Sequence, residues 1–136
     1  MAATVGYSGT PLARKLGIKP QSTVLLDGAP AGFDLGELPP DVTVHRRIGV
    51  GPYPVILCFC PDRDRLERRW PTLHRRTTID GALWIAWPKR ASGVASDLDD
   101  NSVRDHVLHN GRVDVKVCAI DATWSGIKNV IRLVDR

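Results

Sequence analysis

Residues 81–93 read GALWIAWPKRASG. Gly81 to Trp87 is a short apolar run, Pro88 stops it, and two cations and a small-residue turn follow. An unbroken apolar run bounded by turn signals fits a strand buried on both faces, as in a parallel sheet. Pro88 has no N–H to give to a ladder, so the strand is predicted to end at Trp87. In open α/β sheets, ligands sit beyond the carboxyl ends of the strands. Trp87, Pro88, Lys89 and Arg90 are therefore candidates for a ligand-facing rim.

Upstream, Val55 to Cys60 (VILCFC) is a second continuous apolar run and reads as a central strand. Cys58 and Cys60 are two apart on it and point to one face. A metal site would need two further ligands, which spacing does not supply, so none is expected and both cysteines read as small buried hydrophobes. With Cys118 the count is three, and an odd count argues against a disulfide framework. Pro61 closes the strand, and residues 63–76 read as a helix with Leu66, Trp70 and Leu73 on its buried face. Pro71 predicts a kink or a break into two short helices. Six arginines (63, 65, 68, 69, 75 and 76) line this segment. Asp62, Asp64 and Glu67 interleave with them, which favours a solvated face over a nucleic-acid interface.

Towards the N-terminus, residues 1–9 read as a flexible lead. Thr10 is the predicted N-cap and Pro11 the first position of a short helix carrying Leu12 and Leu16, with Gly17 as its stop. Thr23 to Asp27 reads as the first strand, and Gly28 to Gly32 as a loop of small residues. There Asp27, Gly28, Ala29 and Pro30 are candidates to approach a ligand. The G-x-G-x-x-G pattern is absent, and Pro30 removes one N–H from any anion cradle. A short helix or turn is expected over Phe33–Leu38, a second strand over Val42–His45 and a loop over Gly49–Pro54.

Towards the C-terminus, Ala91 to Asp97 is a loop. A helix capped within Asp97–Asp100 should reach Asn110, with Val103, Val107 and Leu108 inward. Val113, Val115 and Val117 alternate with polar neighbours and predict a half-buried strand through Ile120. Thr123–Gly126 is a link, and Ile127–Val134 a last, antiparallel strand. The whole is an α/β chain folded as a three-layer sandwich. Its 136 residues, 43% hydrophobic and 25% charged, fit a single domain over 1–136. No apolar run approaches the roughly 20 residues of a membrane span, and no signal-peptide core is visible, so a cytoplasmic protein with no membrane partner is expected. A net charge of +4 permits attraction to anions without requiring it.

The element order resembles the Rossmann-like methyltransferases that use S-adenosylmethionine. LERRWPTLHRRTTIDGALWIAWP is similar to the helix, turn and fifth strand of that fold, and VDVKVCAIDATWSGIKNVIRLV to its terminal pair. YSGTPLARKLGIK (7–19), DGALWIAWPKRASG (80–93) and VDVKVCAIDATWSG (113–126) resemble a family of small uncharacterised bacterial proteins, a domain of unknown function. The chain departs from a working methyltransferase at the loop after the first strand. It departs again at the end of the second, where His45-Arg46-Arg47 stand in place of a ribose-binding carboxylate. The third departure is Gly49–Pro54, too short for a helix, so one strand–helix unit is missing. The resemblance thus implies a mostly parallel sheet of about six strands, order 2-1-3-4-6-5, with the last strand antiparallel.

Catalytic constellations are scarce. His45, His74, His106 and His109 are scattered and read as surface histidines. Ser92 and Ser125 lie in small-residue turns without the strand–turn–helix setting of a nucleophile elbow. Asp27 and Asp121 follow strands, where they either face a ligand or hold a turn. What remains is a rim of Trp87, Lys89, Arg90, Ser92 and Trp124 beside the Asp27 loop, suited to a planar or anionic ligand. These features point to a non-catalytic, methyltransferase-like binding or regulatory protein with no cofactor, whose partner is such a ligand, another protein or a second copy. The alternatives are a divergent S-adenosylmethionine-dependent methyltransferase, or a nucleic-acid-binding protein using the arginine-rich helix.

Overall fold

The computed structural model describes residues 10–136, so the lead expected at residues 1–9 lies outside the described residues. The elements are α1 (Leu12–Leu16), β1 (Thr23–Asp27), β2 (Thr43–His45), β3 (Tyr53–Phe59), α2 (Arg63–Arg76), β4 (Thr77–Pro88), α3 (Asp100–His109), β5 (Arg112–Ala119) and β6 (Trp124–Ile131). Short 3₁₀ turns follow β4 and β6, at Arg90–Ser92 and Leu133–Asp135. One six-stranded sheet runs β2-β1-β3-β4-β6-β5, the order expected. The first four strands are mutually parallel, whereas β6 is antiparallel to both β4 and β5.

The unbroken apolar runs of β3 and β4 sit mid-sheet because both of their faces are covered. Leu25, Ile56, Leu83 and Ile85 meet Leu66, Trp70 and Leu73 of α2 and Val103 and Val107 of α3 on one side. Val24, Leu26, Leu57, Trp84 and Ala86 meet Ala13 and Leu16 of α1 and Phe33 and Leu35 of the following loop on the other. The indole N–H of the fully buried Trp84 reaches the Leu16 carbonyl at 3.1 Å and pins α1 to that face. Each fully buried Leu, Ile or Val contributes about 1.5–3 kcal/mol. Exposed ion pairs are worth about 0–1 kcal/mol each, so the two apolar faces set the architecture.

Several local expectations are corrected. Pro11, not Thr10, is the N-cap of α1: its ψ of 144° is extended, and its carbonyl accepts the N–H groups of Arg14 and Lys15. Gly17 closes that helix with φ +81°, as glycine permits. Phe33–Leu38 is irregular, with one bend at Glu37, rather than a helix or a turn. Helix α2 does not break into two at Pro71, which lies on its solvent side. Strand β4 reaches back to Thr77 and forward to Pro88, whose missing N–H is tolerated at the last ladder position, opposite Trp124.

Leu108 is 40% exposed, since the inward line of α3 is Val103–Val107 and the next residue lies about 100° further round. Val115 and Val117 are 53% and 46% exposed. The register of β5 against β6 slips between Asp114 and Lys116, so Val115 is an extra residue and the alternation breaks there. Trp124–Gly126 belongs to β6, not to a link, because the turn before it is tightened by Asp121, whose Oδ1 takes the N–H groups of Thr123 and Trp124 at 2.8 Å.

Candidate functional site

The carboxyl end of β4 delivers Trp87 and Pro88, both buried, to the start of a well-tied loop. The Lys89 N–H donates to the Thr123 carbonyl at 2.8 Å, and the Ser92 hydroxyl donates to the Lys89 carbonyl at 2.6 Å. Gly93, at φ +80°, ends the 3₁₀ turn. Beyond it, Asp97 Oδ1 accepts the Arg63 N–H at 2.8 Å, tying the loop to the start of α2. Leu98 drops into the core beside Trp87. Asp99 and Ser102 form a reciprocal capping box that starts α3. Hydrogen bonding from Ser102, its backbone N–H foremost, holds the Asp99 carboxyl below its usual range.

Between this loop, the first turn of α3 and Val117 and Ser125 of the β5–β6 hairpin lies an open groove of about 750 Å³. Trp87 and Pro88 form part of its wall, and Lys89, Arg90, Asp97, Asp99 and Asp100 also line it. Its surface is therefore polar and of mixed charge. The rim expected from sequence reaches this groove through Trp87, Pro88, Lys89 and Arg90. The Ser92 hydroxyl is committed to holding the turn.

Trp124 does not join Trp87. It lies opposite Pro88, and neighbouring positions on a strand face opposite ways. Its ring packs edge-on against Phe59 at 5.1 Å, on the α1 side of the sheet, whereas Trp87 faces α2 and α3. The two indoles therefore cannot sandwich one ligand.

The Asp27 turn is also separate from the groove. Asp27 is buried, and its carboxylate takes Arg65 Nη2 at 2.9 Å and Arg69 through Nε at 3.1 Å and Nη2 at 2.9 Å. Arg65 Nε donates to the Phe59 carbonyl at 2.9 Å. Its guanidinium lies over Gly28, where an added Cβ would stand 2.5 Å from Nη2. Ala29 packs against the α1-side core, and the Pro30 carbonyl takes the Phe33 N–H at 3.0 Å. Asp27, Gly28, Ala29 and Pro30 are thus spent on an ion-pair cluster and a packed turn.

That cluster corrects the picture of α2 as a plain solvated face. Arg65 and Arg69 flank Leu66 and Trp70, so their stems lie along the buried stripe and their heads reach β1. The i,i+4 spacing beside that stripe is the sequence signal that could have found them. Arg68 pairs instead with Asp64 at 2.7 Å on the surface. Sequence reading also missed Arg112, which is fully buried against His74. His74 and His106 are half-buried rather than free on the surface: both rings lie against Trp70, His74 stacked at 6.0 Å and His106 edge-on at 4.9 Å. No histidine is bonded to a serine, threonine or cysteine in the hydrogen bonds given above, and no group of three or more His, Cys, Asp or Glu side chains that could hold a metal occurs among the described residues.

Comparison with protein-family models, with curated proteins and with solved structures gives no match to this chain. No helix among the described residues is long and apolar enough to cross a membrane.

Proposed function

We propose that the protein is a non-catalytic, methyltransferase-like binding or regulatory protein that uses the groove beside Trp87 to hold a small anionic ligand or a segment of a protein partner. The strand order and the antiparallel terminal pair support the reading as a shortened Rossmann-like, three-layer sandwich. The observation that carries the non-catalytic reading is the Arg65 guanidinium over Gly28, anchored at both Asp27 and the Phe59 carbonyl. A nucleoside cofactor in that fold needs close backbone approach at this turn. Here the approach is blocked by a charged side chain held in two places. The end of β2 carries His45, bonded to the Tyr53 hydroxyl at 2.8 Å, and Arg46, donating to the Phe33 carbonyl at 2.7 Å, so no carboxylate stands ready for a ribose.

Lys89 and Arg90 supply cations for an anionic group, and because Asp97, Asp99 and Asp100 line the same groove the ligand must also carry a donor. Titration calorimetry with S-adenosylmethionine and S-adenosylhomocysteine tests the reading. The expected result is no binding tighter than about 100 μM, equivalent to roughly −5.5 kcal/mol. Tighter binding, or methyl transfer to any fraction of a cell extract, overturns it in favour of a divergent methyltransferase.

A further inference from the structure

Cys58, near the end of β3, and Cys60, just beyond it, have their sulfurs 3.5 Å apart, both no more than 1% exposed. The Cys58 thiol lies 3.4 Å from Asp27 Oδ2, the same oxygen that takes Arg65 Nη2 and Arg69 Nε. Two guanidinium charges therefore face one carboxylate, and the neutral thiols leave the cluster with an excess of one positive charge. Both guanidinium groups are about one-quarter exposed, so solvent screens part of this excess, and a new anion at the thiols would gain from the remainder. Cys118 lies elsewhere, on β5 and packed against the α1-side core.

We propose that Cys58 and Cys60 form a two-thiolate site for a soft monovalent cation of the copper(I) class, with Arg65 and Arg69 supplying the counter-charge. On binding, each thiol gives its proton to solvent and two sulfur–metal bonds form, with no change of oxidation state. The resulting dithiolate complex carries one negative charge. Together with Asp27 it matches the two guanidinium charges. Soft thiolates select copper(I), which accepts two ligands, whereas a structural zinc ion needs four. Metal–thiolate bonds of about 2.3 Å reach both sulfurs from one point at the observed separation, and side-chain rotation can open the angle further.

The test is anaerobic titration of the Cys118→Ser protein with copper(I) from a competing chelator, followed by X-ray absorption at the copper edge. In that variant the remaining cysteines are Cys58 and Cys60, out of three in the chain. One equivalent coordinated by two sulfurs is the expected result, and Arg65→Met should weaken uptake about tenfold. Cys58→Ser and Cys60→Ser should each abolish stoichiometric uptake while keeping the native circular dichroism. The proposal is overturned if Cys118→Ser takes up no stoichiometric copper, if the absorption spectrum shows nitrogen or oxygen ligands in place of two sulfurs, or if uptake survives in the Cys58→Ser/Cys60→Ser double variant.

Discussion

Arg112 is fully buried and gives its Nε–H to Nδ1 of His74, 2.9 Å away, while its Nη2 donates to the His74 carbonyl at 3.2 Å. No carboxylate pairs with it among the described residues. Burial draws its pKa down to about 10. The second bond meets a carbonyl in the last turn of α2, the end of a helix that favours cations. The first bond requires an unprotonated Nδ1, so His74 must be neutral with its proton on Nε2. Arg112 thus locks β5 to α2 through a histidine that cannot take up a proton without losing the bond.

Stability should accordingly fall as the solution is acidified. Burial first, then the Arg112 and Arg75 charges, lower the His74 pKa from its ordinary 6.5. Burial also lowers that of His106, with Arg63 and His109 adding to the effect and Glu67 opposing it. A histidine whose folded pKa lies below its unfolded value binds its proton more readily when unfolded. The stability it contributes is complete above pH 6.5 and is lost as pH falls from there through the folded pKa. Melting temperatures measured from pH 7.5 to 5 should fall. His74→Asn, which keeps an acceptor near Nδ1, combined with His106→Gln should flatten that dependence. An unchanged slope in the double variant would show that other groups carry it.

Asp27 joins β1 to α2 through two arginines, and removing its charge should be costly. Asp27→Asn leaves both guanidinium groups, about one-quarter exposed, without a counter-ion. Breaking a buried pair costs about 3–5 kcal/mol, and the partial exposure reduces this to about 2–3 kcal/mol. The surface pair Arg68–Asp64 is the contrast, with side chains 61% and 76% exposed. Asp64→Asn should cost no more than about 0.5 kcal/mol. Urea unfolding of the two variants, compared at equal m-value, measures the difference. Equal losses would mean that the Asp27 cluster is as well solvated as the surface pair.

The central place of β3 and β4 was legible because VILCFC and GALWIAWP are unbroken apolar runs, and only strands covered on both sides need such runs, whereas the full strand order was implied by the resemblance. The groove was half legible for the same reason: a proline after an apolar run marks a strand tip. The other half was not. Whether Trp124 shares a face with Trp87 depends on the β4–β6 register, a one-residue matter that composition does not carry. The exposure of Val115 depends on a bulge, which interrupts a valine alternation that by itself reads as continuous. Arg65 and Arg69 looked like solvent charges because their partner lies 38 and 42 residues away, on a different strand.

Pro71 is where local propensity and tertiary packing disagree most openly. Its missing N–H leaves the Glu67 carbonyl without its helical partner, and its ring crowds that same carbonyl. The helix nevertheless runs unbroken, because Leu66, Trp70 and Leu73 are buried on the core side while Pro71 stays in solvent. Pro71→Ala should restore the bond and remove the crowding, a gain of up to about 3 kcal/mol. About 0.4–1 kcal/mol is offset by the greater freedom of the unfolded chain. The net is a stabilisation of about 2 kcal/mol, a rise in melting temperature of roughly 4–8 °C for a chain of this size. Scanning calorimetry of the variant decides the matter. A lower melting temperature would mean that α2 bends at Pro71 and that Trp70 and Leu73 need the bend to seat against the sheet.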